Sequence, residues 1–529
     1  MSGRGAGDGG VSTGTTGTGS AVRTALARLK ELDREARHLE HAAAAMSWDQ
    51  ETYMPRRAGD GRAEQQALLQ SLVHERNTAP EVGELLAVAQ SSASSDAAPG
   101  AAGTDLDERD RAFLREKQRQ YDHATRLPAR LVRELAETGS RGQLAWIDAR
   151  KENDFPRFRP WLEKLIDLSR ELADALGHDG TRYDALLDQY EPYMTTAEVA
   201  RVFAGLREGL VDLTERIAAA PQVDDSFLDA SFDVDRQEEM SRRVMVALGY
   251  ELDRGRLDRS AHPFTTTLGG HDVRITTRYD EKLLTSSLFS TIHETGHALY
   301  ELGVDEALHG TLLAEGTSLG IHESQSRMWE NMIGRSRPFW ERWMPDLKEL
   351  FPAKLADVPV EAFYRAVNKV EPSLIRVEAD EVTYSLHIIL RFELEQELIN
   401  GDLAVADLPA AWNARMKEFL GVVPPTDALG VLQDVHWSFG AFGYFPTYAL
   451  GNLYAAQFLD TMQRDLPAMW DDVAQGRTGA ILEWLRTRIH RHGKARSAVQ
   501  LVSEITGAEL DPAHFLRYLN GKYGELYAL

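Results

Sequence analysis

Thr291-Ile292-His293-Glu294-Thr295-Gly296-His297-Ala298-Leu299-Tyr300 is the stretch from which the fold of this chain is read. It sets two imidazoles, His293 and His297, four positions apart. On an α-helix, residues i and i+4 share a face one turn apart, so both rings can converge on one cation. Glu294 points off that axis, toward the place where a metal-activated water would sit and give up its proton. The flanks read as helix. Thr285, Ser286 and Ser287 offer N-caps, Leu288, Ile292, Leu299 and Leu302 form an apolar face, and Gly303 offers a stop. The spacing points to a metal-assisted hydrolase; the competing reading is a plain helix with two satisfied histidines.

A catalytic metal needs a third protein ligand and an open position. A metzincin would carry Gly at position 300 and His at 303, where this chain has Tyr300 and Gly303, so that class is excluded. The alternative is a carboxylate farther along, and Glu301, Glu315, Glu323 and Glu330 are the candidates. Glu301 lies one turn beyond His297, but three ligands on successive turns of one straight helix cap a tetrahedron poorly. Glu323 sits in Ile321-His322-Glu323-Ser324-Gln325-Ser326-Arg327, the start of a second helix that a helix–loop–helix return can bring back. Spacing makes Glu323 the leading candidate and leaves the others open.

Farther out, the pattern stays helical. Val22, Leu26, Leu29, Leu32, Ala36 and Leu39 step by threes and fours, and similar stripes run through about 61–90, 107–139 and 156–176. One β element stands out between Phe264 and Tyr279, where Gly269-Gly270 separates a Thr-rich flank from a Val/Ile-rich one. Along its second strand Asp272, Arg274 and Thr276 share a face opposite Val273 and Ile275, and that polar face is a candidate to lie beside a substrate. Residues 1–20 are rich in Gly, Ser and Thr and read as a disordered tail; 92–104 read as a flexible loop; 21–529 read as one catalytic unit.

Composition narrows the function classes. The chain has 529 residues and no cysteine, which excludes disulfides and thiolate-bound metals and leaves its 16 His as the soft ligands. A formal charge of −23 argues against nucleic acid or an anionic membrane as partner. No apolar run reaches the length of about 18 residues that spans a bilayer, and the N-terminus lacks the apolar core of a signal peptide, so a cytoplasmic protein is expected.

Six ordered motifs make the reading specific: His262-Pro263-Phe264, Asp272 to Thr276 (DVRIT), His293 to His297 (HETGH), His322 to Gln325 (HESQ), Ile375 to Asp380 (IRVEAD) and Gly430 to Trp437 (GVLQDVHW). Together with Gly443-Tyr444-Phe445-Pro446-Thr447-Tyr448, they resemble the carboxypeptidase Taq family, peptidase family M32. That resemblance implies a mainly α, gluzincin-like fold with a deep groove, a small β-hairpin or sheet beside the metal helix, and a saddle-like homodimer. It implies His293, His297 and Glu323 as Zn²⁺ ligands and Glu294 as general base; Co²⁺ or Mn²⁺ suits the same N/O donors. The activity it implies is removal of C-terminal residues from peptides with a free C-terminus, with broad side-chain tolerance. His436 and Tyr448, or else Tyr444, are the candidates for stabilising the oxyanion. Arg376 and Arg274 are candidates for holding the substrate carboxylate, His262 and Phe264 for walling the groove, and Asp272 and Asp380 for orienting these groups. Without the resemblance, Arg376 reads as a helix-surface residue paired with Glu378 or Asp380. Two rival readings are an internal-cutting zinc oligopeptidase and a helical peptide-binding protein without catalysis.

Overall fold

A computed structural model describes residues 15–90 and 106–529. The expected loop at 92–104 and the first part of the expected tail lie outside these residues. The tail itself is corrected at its end, because the first helix runs Thr15–Thr52 and takes in residues 15–20. Once the apolar stripe from Val22 has nucleated a helix, each added residue gains a backbone hydrogen bond at little further cost, so the helix extends back past the stripe.

The described chain is mainly helical. Val22, Leu26, Leu29, Leu32 and Ala36 are buried, as their spacing requires. That face packs with Val82, Leu86, Ala112 and Phe113 from the next helices into an N-terminal arm with its own apolar cluster. Leu308, Leu312 and Leu313 of the body complete the cluster and so join arm to body. A buried ion pair reinforces the junction. Lys117 Nζ donates to Asp33 Oδ1 (2.8 Å), and Asp33 Oδ2 accepts from the Leu312 N–H (2.7 Å). Among the described residues no helix is long and apolar enough to cross a membrane.

Three strands form one sheet: β1 (Leu257–Arg259), β2 (Phe264–Gly269) and β3 (Asp272–Thr277), in the order β1-β3-β2. β1 runs parallel to β3 and β2 runs antiparallel to it, with β3 central and an edge strand on either side. Only the β2–β3 hairpin was legible; β1 is three residues long, too short to show a period. Val273 and Ile275 are fully buried against Ala298 and Leu302 of the HETGH helix. Opposed residues share a sheet face. Thr265 pairs with Ile275 and Thr267 with Val273, so β2 turns these two threonines toward the HETGH helix.

Candidate active site

The HETGH helix runs Leu284–Leu302 and the HESQ helix Leu319–Arg327. The first starts without a side-chain cap: Thr285, Ser286 and Ser287 lie inside its first turn rather than capping it, and the Ser287 hydroxyl donates to Gln237. The two helices cross at Gly296, where an added Cβ would stand 2.7 Å from both Gln325 O and Ser326 Cα. A third helix, Pro446–Asp465, closes on the other side at Gly451, whose added Cβ would stand 2.6 Å from Glu323 Cγ. Glycine at these two positions lets the helix backbones approach closely enough for three side chains to converge.

His293, His297 and Glu323 present one ligand atom each within 4.8 Å of one another. Glu323 Oε2 lies 3.6 Å from His293 Nε2 and 3.5 Å from His297 Nε2. Donors about 2.1 Å from a shared tetrahedral ion stand roughly 3.4 Å apart, so this two-nitrogen, one-oxygen set fits a divalent cation of the zinc type. Burial pushes His297 down to about 4, which keeps it neutral and able to ligate. Burial alone would raise Glu323, but the Arg327 guanidinium and the two imidazoles reverse this and hold it well below the usual carboxylate range.

The other three acidic candidates have different partners. Glu330, in a π turn over Met328–Ile333, accepts from His293 Nδ1 (2.9 Å) and is itself held by Arg327 and Arg335. π turns recur at functional sites. Glu301 accepts from His322, and Glu315 pairs with Arg37 and Lys494. Arg327, Arg335 and Thr265 carry no motif of their own and escape a reading by sequence.

Glu294 is buried, and its Oε2 accepts from the Thr265 hydroxyl (2.7 Å). Burial raises its pKa above the ordinary glutamate value, in the direction a general base near neutral pH needs. A cavity of about 430 Å³ opens beside the cluster, with Thr267, Glu301, His322, Tyr190, His41 and Lys494 in its walls.

Arg376 is buried in a 3₁₀ turn, not in the helix expected for it. Its Nε and Nη2 donate to Asp434 Oδ1 (3.0 and 2.8 Å), and its Nη1 donates to the Tyr384 hydroxyl (3.1 Å). Asp434 therefore takes the place expected of Glu378 or Asp380. Asp380 instead accepts from the Glu371, Val382 and Thr383 backbone N–H groups and the Thr383 hydroxyl, so it organises its own turn. The Arg376 guanidinium lies over the Tyr448 ring (5.1 Å to its centre), and Tyr448 Oη is 3.5 Å from His436 Nε2. Tyr444 stacks edge-on against Tyr190, with ring centres 5.1 Å apart. Burial, with the Arg376 and Arg391 charges, pushes His436 down to about 4, so it is neutral.

Two candidates make no hydrogen bond or ion pair to the cluster among the described residues. Arg274 lies on the sheet face opposite Val273 and Ile275, away from the HETGH helix. Asp272 holds it there at 2.8 Å through both Nε and Nη2, and it stacks over the Trp48 ring of the first helix (4.4 Å). The strand's period of two was legible, but which face meets the site was not. Asp272 does orient Arg274, as expected. The His262 side chain is exposed, and its carbonyl accepts from the Ser260 hydroxyl (2.5 Å).

Comparison with known proteins bears on the family and the fold. The family model described as Carboxypeptidase Taq (M32) metallopeptidase matches residues 28–523. The chain is 43% identical over 518 residues to Thermostable carboxypeptidase 1 of Thermus thermophilus, covering 95% of this chain and 99% of that one. It is 39% identical over 500 residues to Carboxypeptidase 1 of Bacillus subtilis, covering 94% and 98%. Its fold superposes on the crystal structure of the M32 carboxypeptidase from Deinococcus radiodurans R1 with a TM-score of 0.92 at 43% identity, over 96% of this chain and 100% of that one. A match over nearly the whole chain, with the HETGH and HESQ residues converging in space, shows that the chain belongs to the carboxypeptidase Taq (M32) metallopeptidase family.

Proposed function

We propose that this metallocarboxypeptidase uses zinc, held by His293, His297 and Glu323, to release C-terminal residues from peptides with broad side-chain tolerance. The observation that carries the reading is a buried arginine fork, Arg376, set by Asp434 against the ring of Tyr448, whose hydroxyl in turn meets His436. A guanidinium binds a carboxylate through two parallel bonds, which fixes where a peptide terminus sits. The Nη1 edge of Arg376, which meets only the Tyr384 hydroxyl, is the edge left to receive the substrate's α-carboxylate.

A divalent cation, when bound, supplies the Lewis acidity that polarises the scissile carbonyl and acidifies the attacking water. Thr265 occupies Oε2 of Glu294, so Oε1 takes the water's proton and passes it to the leaving amine. Tyr448 keeps its proton, because burial holds its hydroxyl well above the ordinary tyrosine value. It donates, with neutral His436 beside it, to the oxygen on which charge develops. Broad tolerance is carried over from the family resemblance. Peptide substrates and a homodimer belong to the same reading.

The test is mass-spectrometric product analysis of one peptide as the free acid and as the C-terminal amide, with and without chelator. Stepwise loss from the free acid alone, abolished by chelation, is expected; internal cuts in both peptides would overturn the exopeptidase assignment. Glu294→Gln should keep zinc and lose about 10²–10⁴-fold in kcat. Retained turnover would remove Glu294 from the base role.

A further inference from the structure

His293 and His297 are backed differently. His293 Nδ1 meets a carboxylate directly, Glu330 Oε2 at 2.9 Å. Behind His297 stands another imidazole: His297 Nδ1 is 2.6 Å from His322 Nδ1, and His322 Nε2 is 2.7 Å from Glu301 Oε1. The chemistry of the last member sets the direction of every bond in this chain. A carboxylate only accepts, so His322 Nε2 carries its N–H. Neutral His322 then has its lone pair at Nδ1 and accepts, so His297 Nδ1 must donate. That leaves the His297 lone pair on Nε2, the atom facing Glu323 Oε2 at 3.5 Å. The opposite order, with N–H on His322 Nδ1, would place the His297 proton on Nε2 and remove one donor from the metal set.

We infer that Glu301 and His322 are a positioning pair that sets the tautomer of His297 and couples the two ligand-bearing helices. Glu301 is one turn beyond His297 on the HETGH helix, and His322 directly precedes Glu323 on the HESQ helix, so one hydrogen-bonded chain fixes ligands on both. The His322 ring is held in plane for this. An added Cβ at Gly316 would stand 2.7 Å from its Cδ2, and the Tyr300 ring packs against it, with centres 5.1 Å apart. Tyr300 is pinned in turn, since its hydroxyl accepts from the Thr317 N–H (3.2 Å). Both Glu301 and His322 also wall the 430 Å³ cavity beside the cluster, so the pair is reached from the groove rather than sealed in the core.

The inference rests on His293, His297 and Glu323 being the metal ligands, and its test reads metal affinity without any peptide. Zn²⁺ affinity of the full chain is measured by competition with a chromophoric chelator. His322→Leu should weaken binding about 10–100-fold, the usual cost of losing a partner behind a ligand. His322→Asn places an amide oxygen close to where Nδ1 stood and should stay within about threefold of wild type. Glu301→Leu should weaken binding about 10-fold in the wild-type chain. The same change should cost nothing once His322→Asn is present, because the amide accepts without help. Wild-type affinity in His322→Leu overturns the inference, as does an equal cost of Glu301→Leu in both backgrounds. If His322→Leu fails to fold by circular dichroism, the two Glu301→Leu measurements decide the matter. Peptide cleavage by the wild type is read in parallel. A chain that binds Zn²⁺ and cleaves nothing overturns the peptidase reading while the affinities still judge the pair.

Discussion

Asp434→Asn tests the architecture at its most charged point. Asp434 Oδ1 accepts two bonds from Arg376, and Oδ2 accepts from Arg391 Nε (2.7 Å) and Nη2 (2.5 Å). All three side chains are buried, with Arg391 at 0% exposure. Asparagine keeps the shape but turns one oxygen into an NH₂ group facing a guanidinium edge. Two charge-assisted bonds are lost, at roughly 1.5–3 kcal/mol each. Removing one partner of a buried ion pair costs about 3–5 kcal/mol by a separate route. The two agree on about 4 kcal/mol, a large share of the ~5–15 kcal/mol that holds a folded protein together.

Urea unfolding as a function of pH is the assay, and the sign is determined. Burial opposes ionisation of Asp434, but Arg391 and Arg376 outweigh it and hold the carboxyl well below the usual range. A depressed acid contributes stability above its unfolded value, about 4, and loses that contribution as pH falls through the folded value. The gap between wild type and variant should therefore be full from neutral pH down to about 5 and shrink below about 4. In kinetics, a loosened Arg376 should raise KM for free-acid peptides about tenfold or more, with a smaller effect on kcat. A gap under about 1 kcal/mol at pH 7, or one that widens on acidification, would refute the clamp.

Five further substitutions probe the site and the core around it. Gly296→Ala should cost about 1–3 kcal/mol and weaken Zn²⁺ binding, because its methyl meets backbone of the HESQ helix; unchanged metal affinity in a chelator titration would count against that packing. Glu191 and Glu395 are buried carboxylates without a cation partner, and burial pushes each up to about 7. Stability should therefore fall as pH rises from about 4.5 to 7, on the order of 3 kcal/mol for each group. Glu191→Gln should flatten the Glu191 part of that slope at little cost. Its Oε1 meets two hydroxyls that can rotate, from Ser318 and Tyr454. Glu395→Gln should cost about 1–3 kcal/mol, because obligate donors stand on both oxygens, Trp437 Nε1 on one and the Gly443 N–H on the other; equal denaturation midpoints for the two variants would contradict this. Tyr448→Phe should lower kcat about 10²-fold or more with KM little changed, and Tyr444→Phe should do less; the reverse order would move the oxyanion donor to Tyr444.

The sequence made local relations readable and left distant ones open. His293 and His297 are a turn apart on one helix, so their convergence follows from helix geometry alone. Why Gly296 stands between them becomes visible only when the HESQ helix is seen to cross there. Among four acidic candidates the choice depends on which helix returns to the cluster, and spacing along the chain does not encode that return. Arg376 shows the same limit. The near acids, Glu378 and Asp380, were the readable partners, whereas Asp434 reaches it from 58 positions away in sequence. On β3 the alternation was correct, but burial of Val273 and Ile275 under the HETGH helix sends Arg274 to Trp48. The site-facing residue is Thr265 of the neighbouring strand, picked out by its pairing with Ile275. Pairing register is a tertiary fact, and a single strand's pattern does not carry it.

Charge accounting explains why a free terminus matters to this site. Around the cluster, Glu323 and Glu330 are balanced by Arg327 and Arg335. A divalent ion, when bound, would be the positive charge nearest the developing oxyanion, with Glu294 beside it and Glu301 farther out behind His322. Arg376 and Arg391 against Asp434 leave a second, separate positive charge. A C-terminal residue bound across the two brings one negative charge to each, in a chain whose overall charge of −23 offers no general attraction for an anion. An internal peptide bond, or an amidated terminus, covers the Arg376 edge without pairing it. A buried charged donor left without its acceptor costs about 1.5–3 kcal/mol, so amidation should lower kcat/KM at least 10–100-fold. The same amidation should matter far less once Arg376 is replaced by Ala, because the penalty belongs to the stranded guanidinium. If Arg376→Ala discriminates between acid and amide as strongly as wild type does, the carboxylate is read elsewhere and the fork at Asp434 serves only the fold.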